Sequence, residues 1–180
     1  MRVAALCVAP NSVYHALPDV DAFDASRDAR AFAGGCPVVA HPPCRAWSTY
    51  CRHQAKPAAG EKELGLWCVD QVREWGGILE HPAHSKLWEA ADLPQPGRAQ
   101  NRDFFTLEVW QAWWGYPMKK ATWLLFVGIN FDAVHLPFQL HNPGADRRRQ
   151  QVMSKHQRAA TCEPLARWLV DYARTATVRA

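Results

Sequence analysis

The segment that most constrains this chain is a short apolar run that ends in two prolines and a cysteine. Val38, Val39 and Ala40 have the composition of a buried strand, and His41-Pro42-Pro43-Cys44 follows directly. Proline cannot continue the hydrogen-bonding ladder of a central strand, and it stiffens the chain that follows. Cys44 is therefore predicted to lie on a rigid loop at the carboxyl end of a strand, where open α/β sheets bind ligands. A thiolate held there is a candidate nucleophile.

A second apolar run ends in the same way. Gly76-Gly77-Ile78-Leu79 leads into Glu80, and His81-Pro82 follows at once. A carboxylate that ends a strand beside a proline repeats the setting of Cys44. If the two strands are neighbours, the thiol and the carboxyl group face one cleft, and we expect the two side chains to lie within ~10 Å of each other, close enough to contact one small ring.

Three segments resemble motifs of the C5-cytosine DNA methyltransferases. Residues 42–48, Pro-Pro-Cys-Arg-Ala-Trp-Ser, are similar to that family's Pro-Pro-Cys-Gln-x-Phe-Ser motif. Residues 80–82, Glu-His-Pro, resemble its Glu-Asn-Val motif, and residues 115–127 resemble its Gly-x-Pro-Gln-x-Arg-x-Arg motif with the apolar strand that follows. The segments occur in the family's order and extend over about half of the chain.

The resemblance implies a defined chemistry. The family's cysteine adds to C6 of the target pyrimidine, its glutamate assists at N3, and C5 then attacks the methyl group of S-adenosylmethionine. Carried over to this chain, Cys44 is the nucleophile, Glu80 is the acid, and Lys120 stands where a base-contacting arginine would be. A raised pKa would suit Glu80 to donate a proton. The resemblance also assigns substrate contacts to the residues around the nucleophile, which are Pro43, Arg45, Trp47 and Ser48, with Trp47 expected to stack on a base.

The chain departs from the family at the cofactor site. The family's Phe-x-Gly-x-Gly turn follows its first strand, whereas the predicted first strand here, residues 3–9, leads into Pro10-Asn11-Ser12 without a glycine. Glycines let the backbone approach a ligand closely. We assign the cofactor contacts that remain to Asp24, at the end of a predicted strand near residues 20–24, and to Pro42. The chain also has no segment long enough for the family's separate target recognition domain.

Composition sets wider limits. A chain of 180 residues with 48% hydrophobic residues is expected to form one domain, 1–180, with a substantial core. No run approaches the ~20 apolar residues of a membrane span, and the apolar start stops at Pro10, which favours a strand over a signal peptide. The six cysteines show no Cys-x-x-Cys pattern, which favours reduced thiols and a cytoplasmic protein.

The net charge of +4 is modest, and its cations concentrate late in the chain. The basic loop and helix of residues 141–180 include Arg147, Arg148 and Arg149, which we predict to contact DNA phosphates. A solvated loop and a solvated helix face are the alternative interpretation of the same charges.

The remaining pattern predicts the other elements. Helices are expected at 26–32, 61–75, 85–91 and 164–174, the last capped by Thr161 with Leu165, Trp168, Leu169 and Tyr172 facing inward. A strand is expected at 122–127, whereas residues 107–114 fit either a strand or a helix. The fold class is therefore α/β, a reduced Rossmann-like sheet of the class I methyltransferase type with flanking helices.

Other functions stay open at this point. His41, Cys44, Cys51, His53, His81 and His84 are good zinc ligands in two short segments, which is compatible with a zinc hydrolase. However, two prolines stiffen the His41–Cys44 spacing, and the deaminase zinc pattern is absent. The missing glycine turn favours a non-catalytic DNA-binding module with a degenerate methyltransferase fold. The same cysteine chemistry also suits a free pyrimidine nucleotide. The oligomeric state is not predicted.

Overall fold

The computed structural model describes residues 1–49, 56–97, 101–137, 153–154 and 160–177. These residues contain six strands of a single sheet: β1 Val3–Leu6, β2 Val20–Phe23, β3 Val38–Ala40, β4 Gly77–Pro82, β5 Phe104–Trp110 and β6 Ala121–Val127. They also contain three α-helices: α1 Glu61–Trp75, α2 Lys86–Ala90 and α3 Glu163–Ala173. The predicted α/β class is confirmed at this level.

The sheet is mixed, and its strand order is β2-β1-β3-β4-β6-β5. The first four strands are parallel, whereas β6 runs antiparallel to both β4 and β5. From β1 the chain passes outward to β2 and then returns to β3 on the other side of β1. The carboxyl ends of β1, β3 and β4 consequently meet at one edge of the sheet.

Alternating side chains along the strands build two cores. Val3, Ala5, Val39 and Ile78 face one side, where Leu165 and Leu169 of α3 cover them. Their strand neighbours face the other side, beneath Cys68, Val69 and Val72 of α1. Residues in these strands are buried on both faces, which is why the sequence reads as continuous apolar runs rather than as an alternating pattern.

Gly77 permits the pairing that places Glu80. A Cβ at this position would lie 2.0 Å from the carbonyl oxygen of Val38, and the backbone has a φ of 119°. Only glycine avoids both penalties. The resulting register pairs Leu6 with Ala40 and Ala40 with Leu79, so Cys7, His41 and Glu80 come next at the same sheet edge.

Most predicted elements are confirmed, with boundary shifts. Strand β1 ends at Leu6 rather than Ala9, because Cys7 takes a left-handed backbone with a φ of 59°. Residues 107–114 divide into the end of β5 and the 3-10 turn Gln111–Trp114. In α3, Leu165 and Leu169 are buried as predicted, whereas Trp168 and Tyr172 are half-buried.

Two details of the prediction are wrong. The helix expected at 26–32 is only the 3-10 turn Ala29–Ala31, which the Asp28 side chain caps by accepting a hydrogen bond from the Arg30 N–H. Thr161 does not cap α3, because the helix begins at Glu163 and Cys162 occupies the cap position without a side-chain hydrogen bond.

Candidate active site

A cavity of about 560 Å³ opens at the edge where β1, β3 and β4 end. Its wall includes Cys44, Glu80 and Lys120, together with the segment after β1 that contains Cys7 and Tyr14. The direction of strand order reverses between β1 and β3, and such a switch point opens a crevice that α/β proteins use for ligands. The two residues that the sequence singles out, Cys44 and Glu80, therefore line the same cavity.

Cys44 directly precedes the 3-10 turn Arg45–Trp47. The residue is exposed overall, but its thiol is partly buried toward the cavity. This burial is the largest cause that raises the pKa of the thiol above its ordinary value of 9.0, and the negative charge of Glu80 adds to the rise. The positive charge of Lys120 opposes it without reversing it. Formation of the thiolate is consequently a cost that any reaction at Cys44 must meet.

Glu80 is buried and held by two side chains. The Nδ1 atom of His41 lies 2.9 Å from its Oε2 atom, and the Nε2 amide of Gln111 donates to its Oε1 atom at 3.0 Å. Burial alone would raise the pKa of the carboxyl group, but the hydrogen bond from His41 and the charges of His41 and Lys120 outweigh it. The result is a pKa of about 2, so the expectation of a raised value is wrong and Glu80 is ionised at neutral pH.

Tyr14 extends the network on the other side of His41. Its hydroxyl lies 2.8 Å from the Nε2 atom of His41, and the two rings are tilted at 51° with centroids 5.2 Å apart. Burial, followed by the negative charge of Glu80, raises the pKa of Tyr14 well above 10.0. The phenol therefore stays neutral and is available as either a donor or an acceptor.

Gln111 connects Glu80 to the start of β6. Its Nε2 amide also donates to the Thr122 hydroxyl at 3.1 Å, and that hydroxyl donates to the backbone carbonyl of Lys120. The half-buried Lys120 side chain lines the cavity, with its ammonium 5.2 Å from the centre of the Tyr116 ring. The ammonium group of Lys120 thus places a positive charge near the Cys44 thiol and the Glu80 carboxylate.

His81 follows Glu80 but faces the opposite side of the sheet. It is 1% exposed, its ring lies 6.3 Å from that of Trp88, and its nitrogens make no hydrogen bond of standard geometry to the described residues. Burial is the main cause that lowers its pKa to about 4. His81 is therefore neutral at physiological pH, and it does not line the cavity.

The predicted substrate contacts divide into two groups. Pro43 lines the cavity with Cys44 and Lys120, whereas Ser48 is absent from its described wall. The guanidinium of Arg45 pairs with the buried carboxylate of Glu61 at the start of α1. Trp47 is 6% exposed and packs beneath the loop against α1. The expectation that Trp47 stacks on a base is therefore wrong: the aromatic ring supports the loop from below.

The predicted cofactor contacts also separate. Pro42 is buried and lines the cavity, whereas Asp24 does not belong to its wall. Asp24 Oδ1 accepts hydrogen bonds from the Ser26 side chain and from the backbone of Ser26 and Arg27, and Oδ2 lies 3.5 Å from His15. These bonds, led by the one from the Ser26 hydroxyl, lower the pKa of Asp24.

Several sequence-based predictions fall outside the described residues. They concern Arg147, Arg148 and Arg149 for phosphate contacts and Cys51 and His53 for zinc. Among the residues that the structure does describe, no three histidine, cysteine or acidic side chains are grouped as a metal site. None of the described helices is long and apolar enough to cross a membrane.

Sequence reasoning missed two members of the network, Tyr14 and Gln111. Neither residue belongs to a recognisable motif. Each reaches the site through a turn whose position depends on how distant parts of the chain pack together. His41 could be singled out because it directly precedes Pro42-Pro43-Cys44, but that position suggested a metal ligand. In the structure, both of its ring nitrogens contact protein side chains instead.

Comparisons with protein-family models, with curated proteins and with solved structures found no match for this chain.

Proposed function

We propose that this protein modifies the C5 position of a pyrimidine, in the form of S-adenosylmethionine-dependent methylation of cytosine in DNA, through a covalent intermediate on Cys44. The observation that carries the proposal is that Cys44 and Glu80 line one cavity at the carboxyl edge of the sheet, close enough for the charge of Glu80 to raise the pKa of the thiol. The motif resemblance indicates the class of reaction. Its two central residues, Cys44 and Glu80, both line the cavity.

In the proposed reaction, Cys44 first loses its proton to solvent. The thiolate sulfur forms a bond to C6 of the pyrimidine, and the C5–C6 double-bond electrons move into the ring. Glu80, facing N3, directs a proton to the nitrogen that gains this charge, which leaves C5 as an enamine-like carbon nucleophile. Lys120 lowers the cost of both the thiolate and the carboxylate in the partly buried cavity.

The strand order supports the Rossmann-like part of the proposal. The order β2-β1-β3-β4 of the parallel strands is that of doubly wound sheets, which bind ligands where the order reverses. The antiparallel pair β6-β5 completes the sheet on the side of β4. A reduced class I methyltransferase-like domain is consistent with this arrangement.

The residues after β1 do not reproduce the family's cofactor turn. Cys7 adopts a left-handed backbone, so a sharp turn forms without glycine, but Val8, Ala9 and Val13 line the cavity with side chains where a glycine turn would leave space. Both carboxylate oxygens of Asp24 already have protein partners. S-adenosylmethionine is therefore part of the proposal through the resemblance alone, and the addition of Cys44 to the pyrimidine does not require it.

A free pyrimidine nucleotide is the second candidate substrate. The cavity volume lies within the range of small-molecule sites, and a free nucleotide needs no extrusion from a duplex. A non-catalytic DNA-binding module is the third reading of the same chain, and it requires no reaction at Cys44.

Covalent trapping tests these candidates together. DNA that contains 5-fluorocytosine and 5-fluoro-dCMP are each incubated with the protein, with and without S-adenosylmethionine, and complexes are separated under denaturing conditions. Fluorine at C5 blocks the final loss of a proton, so a methylated adduct accumulates on the wild type and on Cys162→Ser, which removes a second half-buried thiol. Cys44→Ser is expected to give no adduct. DNA binding without an adduct in any arm would support the binding module instead.

A further inference from the structure

We infer that His41 supplies the proton that Glu80 directs to the pyrimidine, and that Tyr14 and Gln111 hold the geometry of this transfer. The inference rests on the proposed function, since it gives Glu80 the proton that an ionised carboxylate lacks. His41 acts through Glu80 and is therefore a positioning residue. The motif resemblance does not contain it, because the residue before Pro-Pro-Cys has no part in the matched pattern.

His41 is fixed at three points. Its backbone N–H donates to the Leu6 carbonyl at 3.0 Å, which ties the end of β3 to the end of β1. Its Nδ1 atom lies 2.9 Å from Glu80 Oε2, and its Nε2 atom lies 2.8 Å from the Tyr14 hydroxyl. The side chains of His41 and Glu80 are 11% and 10% exposed, so little water competes for the contact between them.

Gln111 decides which oxygen of Glu80 carries a proton. Its amide donates to Oε1, and its second N–H donates to Thr122 Oγ1, whose own proton goes to the Lys120 carbonyl. This sequence of donors keeps Oε1 as an acceptor. A proton on the carboxyl group is therefore placed on Oε2, the oxygen that faces His41.

The contact with Tyr14 allows the transfer from His41 to Glu80 to move a single proton. When both ring nitrogens of His41 carry protons, Nε2–H donates to the Tyr14 hydroxyl and Nδ1–H donates to Glu80. After the Nδ1 proton moves to Oε2, Nε2–H still donates to Tyr14, and Oε2–H now donates to Nδ1. No other hydrogen bond in the network has to reverse, and the buried phenol remains neutral throughout.

The proton balance of the complete step is closed. The Oε2–H bond then turns from Nδ1 to N3 of the pyrimidine and gives its proton to that nitrogen, so doubly protonated His41 has lost one proton, N3 has gained one, and Glu80 is a carboxylate again. Cys44 has already released its own proton to solvent, and its sulfur forms the new bond to C6. The negative charge lost from the thiolate and the positive charge lost from His41 cancel.

Other charged and titratable groups surround this network. Tyr14 approaches from the turn after β1, Glu80 and His81 come from β4, Lys120 precedes β6, and Cys44 lies on the loop after β3. Of these groups, only Cys44 and His41 have to change their protonation between the resting state and the adduct. The pH dependence of the reaction therefore reports on these two residues.

Hydrogen exchange at C5 measures the step without any methyl donor. Once Cys44 has added to C6, C5 accepts a deuteron from D₂O and then releases its original proton to solvent, and reversal of the addition leaves deuterium on the pyrimidine. The exchange rate of dCMP and of a cytosine-containing oligonucleotide is measured from pH 5 to pH 9 for the wild type, His41→Asn, Tyr14→Phe and His135→Asn. Asparagine keeps an N–H that reaches Glu80 but carries no transferable proton, and His135 is an exposed histidine outside the cavity wall.

We expect His41→Asn to lower the exchange rate about 100-fold at acidic pH, with a deficit that shrinks as pH rises, because the proposed step needs His41 in its doubly protonated form. Tyr14→Phe should lower it about tenfold, and His135→Asn should match the wild type. Circular dichroism confirms that each variant is folded. A His41→Asn deficit that is constant across pH, or no deficit at all, overturns the inference while leaving the proposed function intact. Absence of exchange in the wild type overturns both.

Discussion

Two adjacent residues, Glu80 and His81, show how one strand sets opposite electrostatic states. Glu80 faces the cavity, where the hydrogen bond from His41 and nearby cations overcome the effect of burial and lower its pKa to about 2. His81 faces the apolar side beneath Trp88, where burial lowers its pKa to about 4. Both groups are buried, yet at neutral pH one is charged and the other is neutral, because the hydrogen bond and the cations around Glu80 outweigh its burial, whereas the burial of His81 outweighs the attraction of the Glu80 charge.

These states predict a stepwise loss of stability in acid. Between pH 6.5 and about 4 the unfolded chain binds a proton at His81 that the folded chain does not, so stability falls as pH falls, by at most about 1.4 kcal/mol per pH unit. Glu80 contributes stability that is present above its unfolded value near 4.5 and is lost as pH falls toward 2. Urea unfolding at a series of pH values measures both windows.

A comparison of His81→Asn with His84→Asn separates the loss of stability between pH 6.5 and about 4 from general effects of acid on the protein. His84 is exposed, and its φ of 62° suits asparagine, so its replacement should leave the pH dependence unchanged. His81→Asn should flatten the curve between pH 6.5 and 4, whatever its effect on absolute stability. Parallel curves for His81→Asn and the wild type in that window would contradict the assigned state of His81.

At the scale of single residues, the sequence predicted positions in the site for residues at the end of an apolar run. The proximity of Cys44 and Glu80 followed from two apolar runs that stop at proline. Tyr14 and Gln111 could not be found in this way, because their contacts depend on how the turn after β1 and the turn between β5 and β6 fold back over the sheet edge. The pKa of Glu80 was also mispredicted, since its two hydrogen-bond partners come from distant parts of the chain.

Among the elements, the 3-10 turn that follows Cys44 is the one that fixes the nucleophile. Trp47 in this turn packs on α1 at Gly65, where a Cβ would lie 2.5 Å from the indole nitrogen. Arg45 in the same turn pairs with Glu61 at the first residue of α1. The loop that carries Cys44 thus rests on one helix through an aromatic contact and an ion pair.

Gly65→Ala should therefore reverse the usual effect of this substitution. Alanine in a helix interior normally stabilises by about 0.5–1 kcal/mol relative to glycine. Here the added methyl group overlaps Trp47, and we expect a net loss of about 1–3 kcal/mol, together with slower adduct formation at Cys44. Urea unfolding and the trapping experiment measure the two effects. Leu66→Ala, at an exposed neighbour in α1, is the control; a Gly65→Ala protein at least as stable as the wild type would exclude this contact as the support.

Element boundaries were predictable where apolar periodicity was strong. Helix α1 was predicted with its observed bounds, because its apolar residues repeat at helical spacing. The segment 26–32 was not, since Asp24 and Asp28 hold consecutive turns by accepting backbone hydrogen bonds. Residues 107–114 fitted two periods because they contain the end of a strand and a turn.

The whole molecule places its chemistry at one edge of a sheet that is covered on both faces. Helix α1 closes one face and α3 the other, and Glu80, His41 and Cys44 line the cavity at the carboxyl edge of β1, β3 and β4. The basic segment with Arg147, Arg148 and Arg149 lies outside the described residues. Phosphate contacts by this segment remain a prediction.

Salt dependence tests that prediction. Replacing Arg147, Arg148 and Arg149 by alanine should weaken binding to every DNA sequence about equally and reduce the log–log salt slope by about 0.9 for each lost contact. A matched variant removes three exposed lysines instead, Lys56, Lys62 and Lys86, and so changes the net charge equally. If both triple variants show the same slope, these three arginines make no specific phosphate contacts. Loss of sequence discrimination in the arginine variant would mean that these residues read bases.

The central claim is that Cys44 adds to C6 of a pyrimidine, and deuterium exchange at C5 tests it most directly because it requires no methyl donor. Mass spectrometry follows the uptake of deuterium from D₂O by a cytosine-containing oligonucleotide and by dCMP. We predict exchange with the wild type and with Cys162→Ser, a loss to the uncatalysed rate with Cys44→Ser, and a reduction of about 100-fold or more with Glu80→Gln. Exchange that persists in Cys44→Ser, or that is absent from the wild type with both substrates, would contradict the account.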